Sequence, residues 1–396
     1  RCDQGEMNRR RRPRSPPAPL ENDDLLSEIL LRLAPLPSSL PRASAVCKQW
    51  RRLVSDPRFL RRFRIHHSRN PPLLGFFGEH YFEPTMDPPN RIPTPDDSFY
   101  SFLDEDDGRF QLFGSRHGLV LIFDRSRNQV LVLDPFNGDR HRIAVPPDFD
   151  ERETSIGGTV SRAAGDGQHF QVVLVTTQVY EQGDTAIARV YSSKIGGWGA
   201  LISLLLPPKD PSTSVICTGF PGILVGHSLY WLLSDMKIKE RSNGILEFDL
   251  ERQVLSLLPV PVDAIPSKLQ LMRADGGGLG IFFLSKFSAQ LWKMETDSDN
   301  VASWVLARTV ELDKLLLMSS RKKKREPLCI KGFAEYNSVV FLRTPTDLFT
   351  IQLESLQFKK VSRTNFVARY HPFENVYVAG MAIGGGHDGA EVLHNT

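Results

Sequence analysis

His117-Gly118-Leu119-Val120-Leu121-Ile122-Phe123 returns 110 residues later as His227-Ser228-Leu229-Tyr230-Trp231-Leu232-Leu233. The match continues downstream. Val130-Leu131-Val132-Leu133-Asp134 lines up with Gly244-Ile245-Leu246-Glu247-Phe248-Asp249, and each copy closes on a proline twelve residues past its aspartate, Pro146 and Pro261. Short runs of this texture, rich in β-branched and aromatic side chains and bounded by Gly, Pro, Asn and Asp, read as strands. A second unit also recurs, Arg189-Val190-Tyr191 with Trp198 and Leu291-Trp292-Lys293 with Trp304. Fainter copies of the first lie at Leu279–Leu284 and Val339–Leu342.

The offsets set the architecture. Leu229 to Leu279 is 50 residues and Leu279 to Val339 is 60, so 110 residues span two units. A repeat of this size with three or four short strands matches a propeller blade, whose usual period is ~40–50 residues. One small sheet cannot cover both of its faces, so blades stack in a ring that leaves only short, protected edges. Residues 72–383 are therefore expected to form an all-β domain, a β-propeller of about six blades. The strand near Leu73–Phe77 and the strand near Val376–Ala379 should share the last blade. Trp198, Trp231, Trp292 and Trp304 are expected to pack between blades rather than hold a ligand.

Upstream the period changes from two to between three and four. Leu26, Ile29, Leu30 and Leu33 form one helical stripe, opened by Asp23-Asp24, where the helix dipole favours carboxylates, and ended by Ala34-Pro35-Leu36-Pro37. Leu40, Ala43, Val46, Cys47, Trp50 and Leu53 continue the spacing along a second helix begun by Ser38/Ser39 and Pro41. Asp56-Pro57 starts a third, with Phe59, Leu60 and Phe63 as its stripe. Residues 20–66 thus read as three helices in an all-α domain too small to bury its own apolar faces. With no disulfide or metal set to staple it, such a unit calls for a protein partner. Cys47, expected mid-helix, reads as a buried hydrophobe and not as a reactive thiol.

Leu20, then Asp23-Asp24-Leu25-Leu26-Ser27-Glu28-Ile29-Leu30-Leu31-Arg32-Leu33, then Val46-Cys47-Lys48-Gln49-Trp50-Arg51-Arg52-Leu53-Val54-Ser55-Asp56-Pro57, resembles the F-box of plant F-box proteins. The family usually has Leu-Pro where this chain has Leu20-Glu21. The resemblance implies packing on a Skp-type adaptor, which bridges to a cullin, with Leu20, Leu26, Ile29, Leu33, Leu36, Leu40, Val46, Cys47 and Trp50 filling the adaptor interface. The β region, through Pro72-Leu73-Leu74-Gly75-Phe76-Phe77, Leu133-Asp134-Pro135 and Leu291-Trp292-Lys293-Met294, also resembles the propeller-like associated domain that follows many plant F-boxes. Together they imply a non-catalytic substrate receptor of a ubiquitin ligase, carrying an unidentified target protein; the alternative is a β-propeller binding module or nuclear scaffold acting without ubiquitin transfer.

Composition narrows the alternatives. The 396 residues are 41% hydrophobic and 24% charged, ordinary for a soluble globular chain with room for two domains. No apolar run has membrane-spanning length, and neither a secretory-type segment nor an Asn-x-Ser/Thr acceptor is visible. Cys2, Cys47, Cys217 and Cys329 have no metal or redox spacing, so the expected compartment is cytosol or nucleus. Residues 1–66 carry 15 Lys/Arg against 7 Asp/Glu, and the rest 34 against 39. That is a basic head on a near-neutral body, unlike the basic folded face of a nucleic-acid binder. Residues 1–19, with Arg9–Arg12 and four prolines, read as a tail, and 384–396 as a second one.

Catalytic motifs are missing. There is no Gly-x-Ser-x-Gly elbow, phosphate-loop lysine or His-Glu-x-x-His. Asp275-Gly276-Gly277-Gly278-Leu279-Gly280 leads into a strand and reads as a turn. Asp104–Asp107 lacks the alternating ligands of a calcium loop, and His66-His67 suits a helix C-terminus. Arg321–Arg325 reads as an exposed loop, with nuclear import as its sharper alternative, as for Arg9–Arg12. No cofactor or metal is expected.

Overall fold

The structure, a computed structural model, describes residues 22–378 apart from 79–80, 96–109, 137, 150–154, 163–168, 179–182, 208–213, 217–219, 236–241, 263–265, 297–301, 313–327, 345–346 and 362–368. Leu20, both terminal tails, Asp104–Asp107 and Arg321–Arg325 lie outside the described residues. The chain divides into a helical unit, holding the residues up to His66, and a β unit, His67–Tyr377.

The helical unit contains α1 (Asp23–Leu31), α2 (Ser39–Ser44), α3 (Lys48–Val54) and α4 (Pro57–His67). Asn22 caps α1, its side-chain oxygen accepting from the Asp24 and Leu25 amides at 2.9 and 3.1 Å. Asp56 accepts from the Arg58 amide at 2.7 Å, and Pro57 fills the first position of α4, where no amide hydrogen is needed. Leu26, Leu30, Leu40, Ala43, Val54, Phe59 and Phe63, drawn from all four helices, form the small core.

The second expected helix is broken in two. Ala45 ends α2, and Cys47 has extended backbone (φ −161°, ψ 173°) at the start of α3. Cys47 is therefore not mid-helix on an apolar stripe; it is an exposed N-cap residue. The break re-aims α3 so that Val54 reaches the core, a gain in burial that outweighs the local preference for one long helix.

The β unit is a six-bladed propeller. Each blade is an antiparallel sheet, and its strands are counted here from the axis outward. Blade 1 is Phe110–Arg116, Leu119–Asp124, Gln129–Leu133 and Arg140–Ala144. Blade 2 runs from Gly157–Arg162 through Phe170–Gln178 and Thr185–Ser192 to a split outer strand, Gly197–Trp198 and Ile202–Leu205. Blade 3 has a split inner strand, Ser214–Ile216 and Ile223–Val225, then Ser228–Asp235, Ser242–Asp249 and Val254–Leu258. Blades 4 and 5 have four strands each, spanning Leu269–Glu311 and Cys329–Val361.

Blade 6 closes the ring by pairing the two ends of the domain. Leu73–Phe77 lies between Phe82–Pro84 and His371–Glu374. The closure is the one the sequence implies, but its last strand is His371–Glu374; residues 376–378 form no strand, and Ala379 lies outside the described residues. Pro372 is tolerated there because the inner strand of a blade is a sheet edge, needing hydrogen bonds on one side alone.

The repeat of the sequence is the repeat of the fold. Second strands begin at Leu119, Phe170, Ser228, Leu279 and Val339. These strands are buried on both faces because alternate side chains enter different inter-blade cores. Leu119, Leu121 and Phe123 pack on blade 2, while Val120 and Ile122 pack on blade 6. Trp231 is buried between blades 2 and 3. Trp198 donates its indole N–H to Ala144 O of blade 1 at 2.9 Å, and Trp304 donates to Pro259 O beside blade 3 at 2.8 Å. The two recurring tryptophans thus make the same tie between an outer strand and the preceding blade. Asp275–Gly278 is the hairpin turn read from the sequence, with Gly276 (φ 90°) and Gly277 (φ 94°) in backbone that side chains disfavour.

Candidate functional site

The helical unit leaves a large part of its apolar surface uncovered. Ile29 is 46% exposed, Leu36 37%, Val46 61%, and Leu25, which the stripe did not include, 51%. With Ile65 of α4, also exposed, five such residues among the described residues of a unit this small exceed the scattered apolar exposure of ordinary surfaces. Cys47 is exposed beside them in sequence, and Leu33 and Trp50 are half-buried. Leu26 and Leu40 are occupied inside the unit's own core. The helices of the unit, of which α1 carries Leu25 and Ile29, are held by polar ties. Gln49 donates to Asp23 at 2.8 Å, Arg52 pairs with Asp23, and Arg62 of α4 pairs with Glu28 of α1.

The second concentration of polar chemistry lies on the propeller axis. Inner strands all run the same way, so first-to-second turns gather at one end, the near end. Second-to-third connections and the links between blades gather at the far end. The chain enters and leaves at the near end, where the Asn375 amide donates to Pro72 O at 3.2 Å.

At the near end Arg116, buried, ties blade 1 to three other blades. It donates to Thr159 of blade 2, to Gly222 O of blade 3 at 2.9 Å, and to Glu335 beside blade 5 at 2.5 Å. Glu335 in turn accepts from the Leu224 amide at 3.2 Å and lies 3.8 Å from Arg273 of blade 4. Glu374, on the closing strand, accepts from the Tyr336 amide (3.0 Å), the Asn337 amide (2.8 Å) and Asn337 Nδ2 (2.7 Å). Burial pushes its carboxyl up to about 7 against the pull of those donors.

His117 completes the ring of contacts. Its Nδ1 accepts from the Arg162 amide at 3.1 Å, so Nε2 carries the hydrogen and donates to the Tyr336 hydroxyl at 2.9 Å. Burial, with Arg116 and Arg162 nearby, pushes the imidazole down to about 4, so it is neutral at physiological pH. His117 and Gly118 both have positive φ (53° and 78°) in the two-residue hairpin that puts this ring on the axis. The carboxylates of this network each accept several donors, so it binds blades to one another. Among the described residues there is no group of three or more His, Cys, Asp or Glu that could hold a metal ion.

Reading the sequence did not single out Arg116, Glu335, Tyr336 or Glu374. Arg116 and Glu335 stand 219 residues apart, and only ring closure joins them. His117 was visible as the first residue of the repeat, without its partners.

Comparison with known proteins agrees with this geometry. Residues 111–378 match the family model of the F-box protein AT5G49610-like β-propeller, and residues 23–66 match the F-box-like model. The chain belongs to the F-box proteins of the AT5G49610-like β-propeller family. It is 26% identical over 282 residues to the F-box/kelch-repeat protein At3g61590 of Arabidopsis thaliana, covering 65% of each chain. It thus spans slightly less than two thirds of that relative. The probable F-box protein At5g47300 of the same plant is 24% identical over 314 residues, 75% of this chain and 70% of its own. Among solved structures, a regucalcin from Agrobacterium tumefaciens superposes with a TM-score of 0.34 at 11% identity, over 74% of this chain and 75% of its own. That likeness carries no functional argument.

Proposed function

We propose that this F-box protein is the substrate-recognition subunit of a Skp–cullin–F-box ubiquitin ligase. The observation that carries the reading is the uncovered apolar set Leu25, Ile29, Leu36 and Val46 on a unit that matches the F-box model. Burying such side chains against a partner stabilises by about 25 cal/mol per Å² of apolar surface, which is ample reason for a protein to cover them. The adaptor is a Skp-type protein and reaches a cullin in its turn. Leu33, Cys47 and Trp50, partly open, extend the adaptor face, and Leu20 adjoins it in sequence; Leu26 and Leu40 support it from beneath.

The propeller displays the target. Its far-end loops are on the side opposite the chain's entry, and loops can vary without disturbing the blades that hold them. The chain itself does no bond chemistry in this role, which consists of holding a target lysine near a conjugating enzyme. We place the protein in the cytosol or nucleus, where an exposed thiol such as Cys47 is kept reduced.

Reconstitution tests the reading. The full chain should co-purify with a Skp-type adaptor and a cullin, and deleting residues 22–66 should abolish that complex while the propeller stays folded. A chain that retains the complex after the deletion would refute the assignment.

A further inference from the structure

Two polar atoms on the propeller axis are buried without a hydrogen-bond partner, Arg116 Nε and His371 Nδ1. Both side chains line one cavity of about 40 Å³, together with Gly114, Pro221 and Gln270. A cavity that size, walled by Phe113, Val160, Ile223 and Phe333 as well as by these polar groups, has room for about three water-sized groups. Leaving a buried donor such as Arg116 Nε–H, or a buried acceptor such as the lone pair of His371 Nδ1, unpaired costs about 1–3 kcal/mol, so these atoms favour any occupant that satisfies both.

The cavity runs along the axis, from Arg116 at the near end to His371 toward the far end. His371 opens the inner strand of blade 6, at the end opposite the chain's entry. Gly114, at a bulge in the inner strand of blade 1, has φ 140°; a Cβ there would lie 3.0 Å from Pro221 and 4.0 Å from His371 Nδ1. The missing side chain keeps the space in front of the imidazole open.

Charge then selects the chemistry. The Arg116 guanidinium is already paired with Glu335, and Glu374 already holds Tyr336 and Asn337. Arg116 and Arg273 stand against Glu335 and against Glu374, whose carboxyl is pushed up to about 7, so among the described residues neither an entering carboxylate nor an entering ammonium meets a wall of the opposite sign. A neutral group escapes both penalties. Burial, and then the nearby Arg369, hold the His371 imidazole down at about 3, so the ring stays neutral.

We propose that this axial cavity is a pocket for a carboxamide, presented by an asparagine or glutamine side chain of the target. The carbonyl accepts from Arg116 Nε–H, and the amide NH₂ donates to His371 Nδ1. The inference rests on the receptor reading for the identity of the ligand's owner, and on the cavity alone for its chemistry.

Saturation-transfer NMR on the full chain with acetamide, acetate and methylammonium tests it. Acetamide should receive saturation from the wild type, with the other two receiving none. In His371→Phe, which removes Nδ1, affinity for acetamide should fall about tenfold, the weight of one buried hydrogen bond. Equal transfer to acetate or methylammonium, or unchanged acetamide affinity in His371→Phe, would overturn the pocket. So would a high-resolution structure with acetamide present and water alone between the two atoms. The three-ligand comparison needs no variant, so it decides even if His371→Phe misfolds. Adaptor binding measured on the same samples separates the two ideas. Its loss with acetamide binding intact strikes the receptor reading, and the reverse strikes only the pocket.

Discussion

In the propeller, Leu121 and Phe123 are covered by blade 2, and Val120 and Ile122 by blade 6, so adjacent residues of one strand are buried by different neighbours. In the helical unit, Leu26 and Leu30 are buried while Leu25 and Ile29, each one residue before them, face solvent. The contrast is one of supply. A ring provides every blade with two covering surfaces. Four short helices provide only one small core, and what they cannot cover remains available to another chain. Stability and partner binding are therefore carried by different residues, and substitutions should separate them.

The largest effect is expected on the axis. Arg116→Met leaves the largely buried Glu335 with Arg273 as its one remaining cation among the described residues, and breaking a buried pair from one side costs about 3–5 kcal/mol. Urea denaturation monitored by tryptophan fluorescence measures it. A loss below about 1 kcal/mol would remove the network from the account of ring closure.

The next effect is a pH dependence. His371 is held at about 3 in the folded chain against 6.5 unfolded, so below pH 6.5 the unfolded chain takes up a proton that the folded chain refuses. Its contribution is complete above pH 6.5 and declines as pH falls toward 3, by about 1.4 kcal/mol per pH unit. His117, held at about 4, acts in the same direction. Glu374, raised to about 7 from 4.5, acts oppositely: its contribution is complete below pH 4.5 and is lost as pH rises through 7. Between pH 6 and 5 the His371→Phe variant should therefore lose stability less steeply than the wild type, by about one proton's slope. Parallel curves would contradict the buried neutral imidazole.

Smaller still is the tie between blades. Trp198→Phe removes the N–H that meets Ala144 O at the blade 1–blade 2 boundary and should cost about 1 kcal/mol. Trp304→Phe should cost the same, because it makes the equivalent bond to Pro259 O. Unequal losses would break the equivalence that the repeat implies. The smallest effect is expected in the helical unit, where Ile29→Asp should change folding stability by no more than about 0.5 kcal/mol, since the side chain already meets water.

What the sequence disclosed follows the same division. The blades were legible because second strands, covered on both faces, must be apolar throughout, and Leu119–Phe123, Leu229–Leu233 and Leu279–Leu284 carry that demand openly. The paired Trp198 and Trp304 were legible as a repeat, though not as hydrogen-bond donors. The last strand was misplaced by five residues. Val376–Ala379 has the better strand composition, but Phe373 fills the core between blades 6 and 1, and that packing fixes His371–Glu374 as the strand. The interruption at Cys47 and the burial of Leu26 and Leu40 also escaped notice. Helical spacing reports which residues share a stripe, not which part of the stripe the unit keeps for itself. The axial ring was invisible for a simpler reason, since its members are spread from Arg116 to Glu374 and meet only when the ring closes.

The central claim is that the uncovered helical surface is an adaptor interface. Its most direct test is the affinity of a purified Skp-type adaptor, by calorimetry, for the wild type and for an Ile29→Asp, Val46→Asp double variant whose stability and circular dichroism are unchanged. The wild type should bind, and the variant should lose at least about 100-fold in affinity, or 2.7 kcal/mol. Equal affinity for the two proteins, or no binding by either, would contradict it.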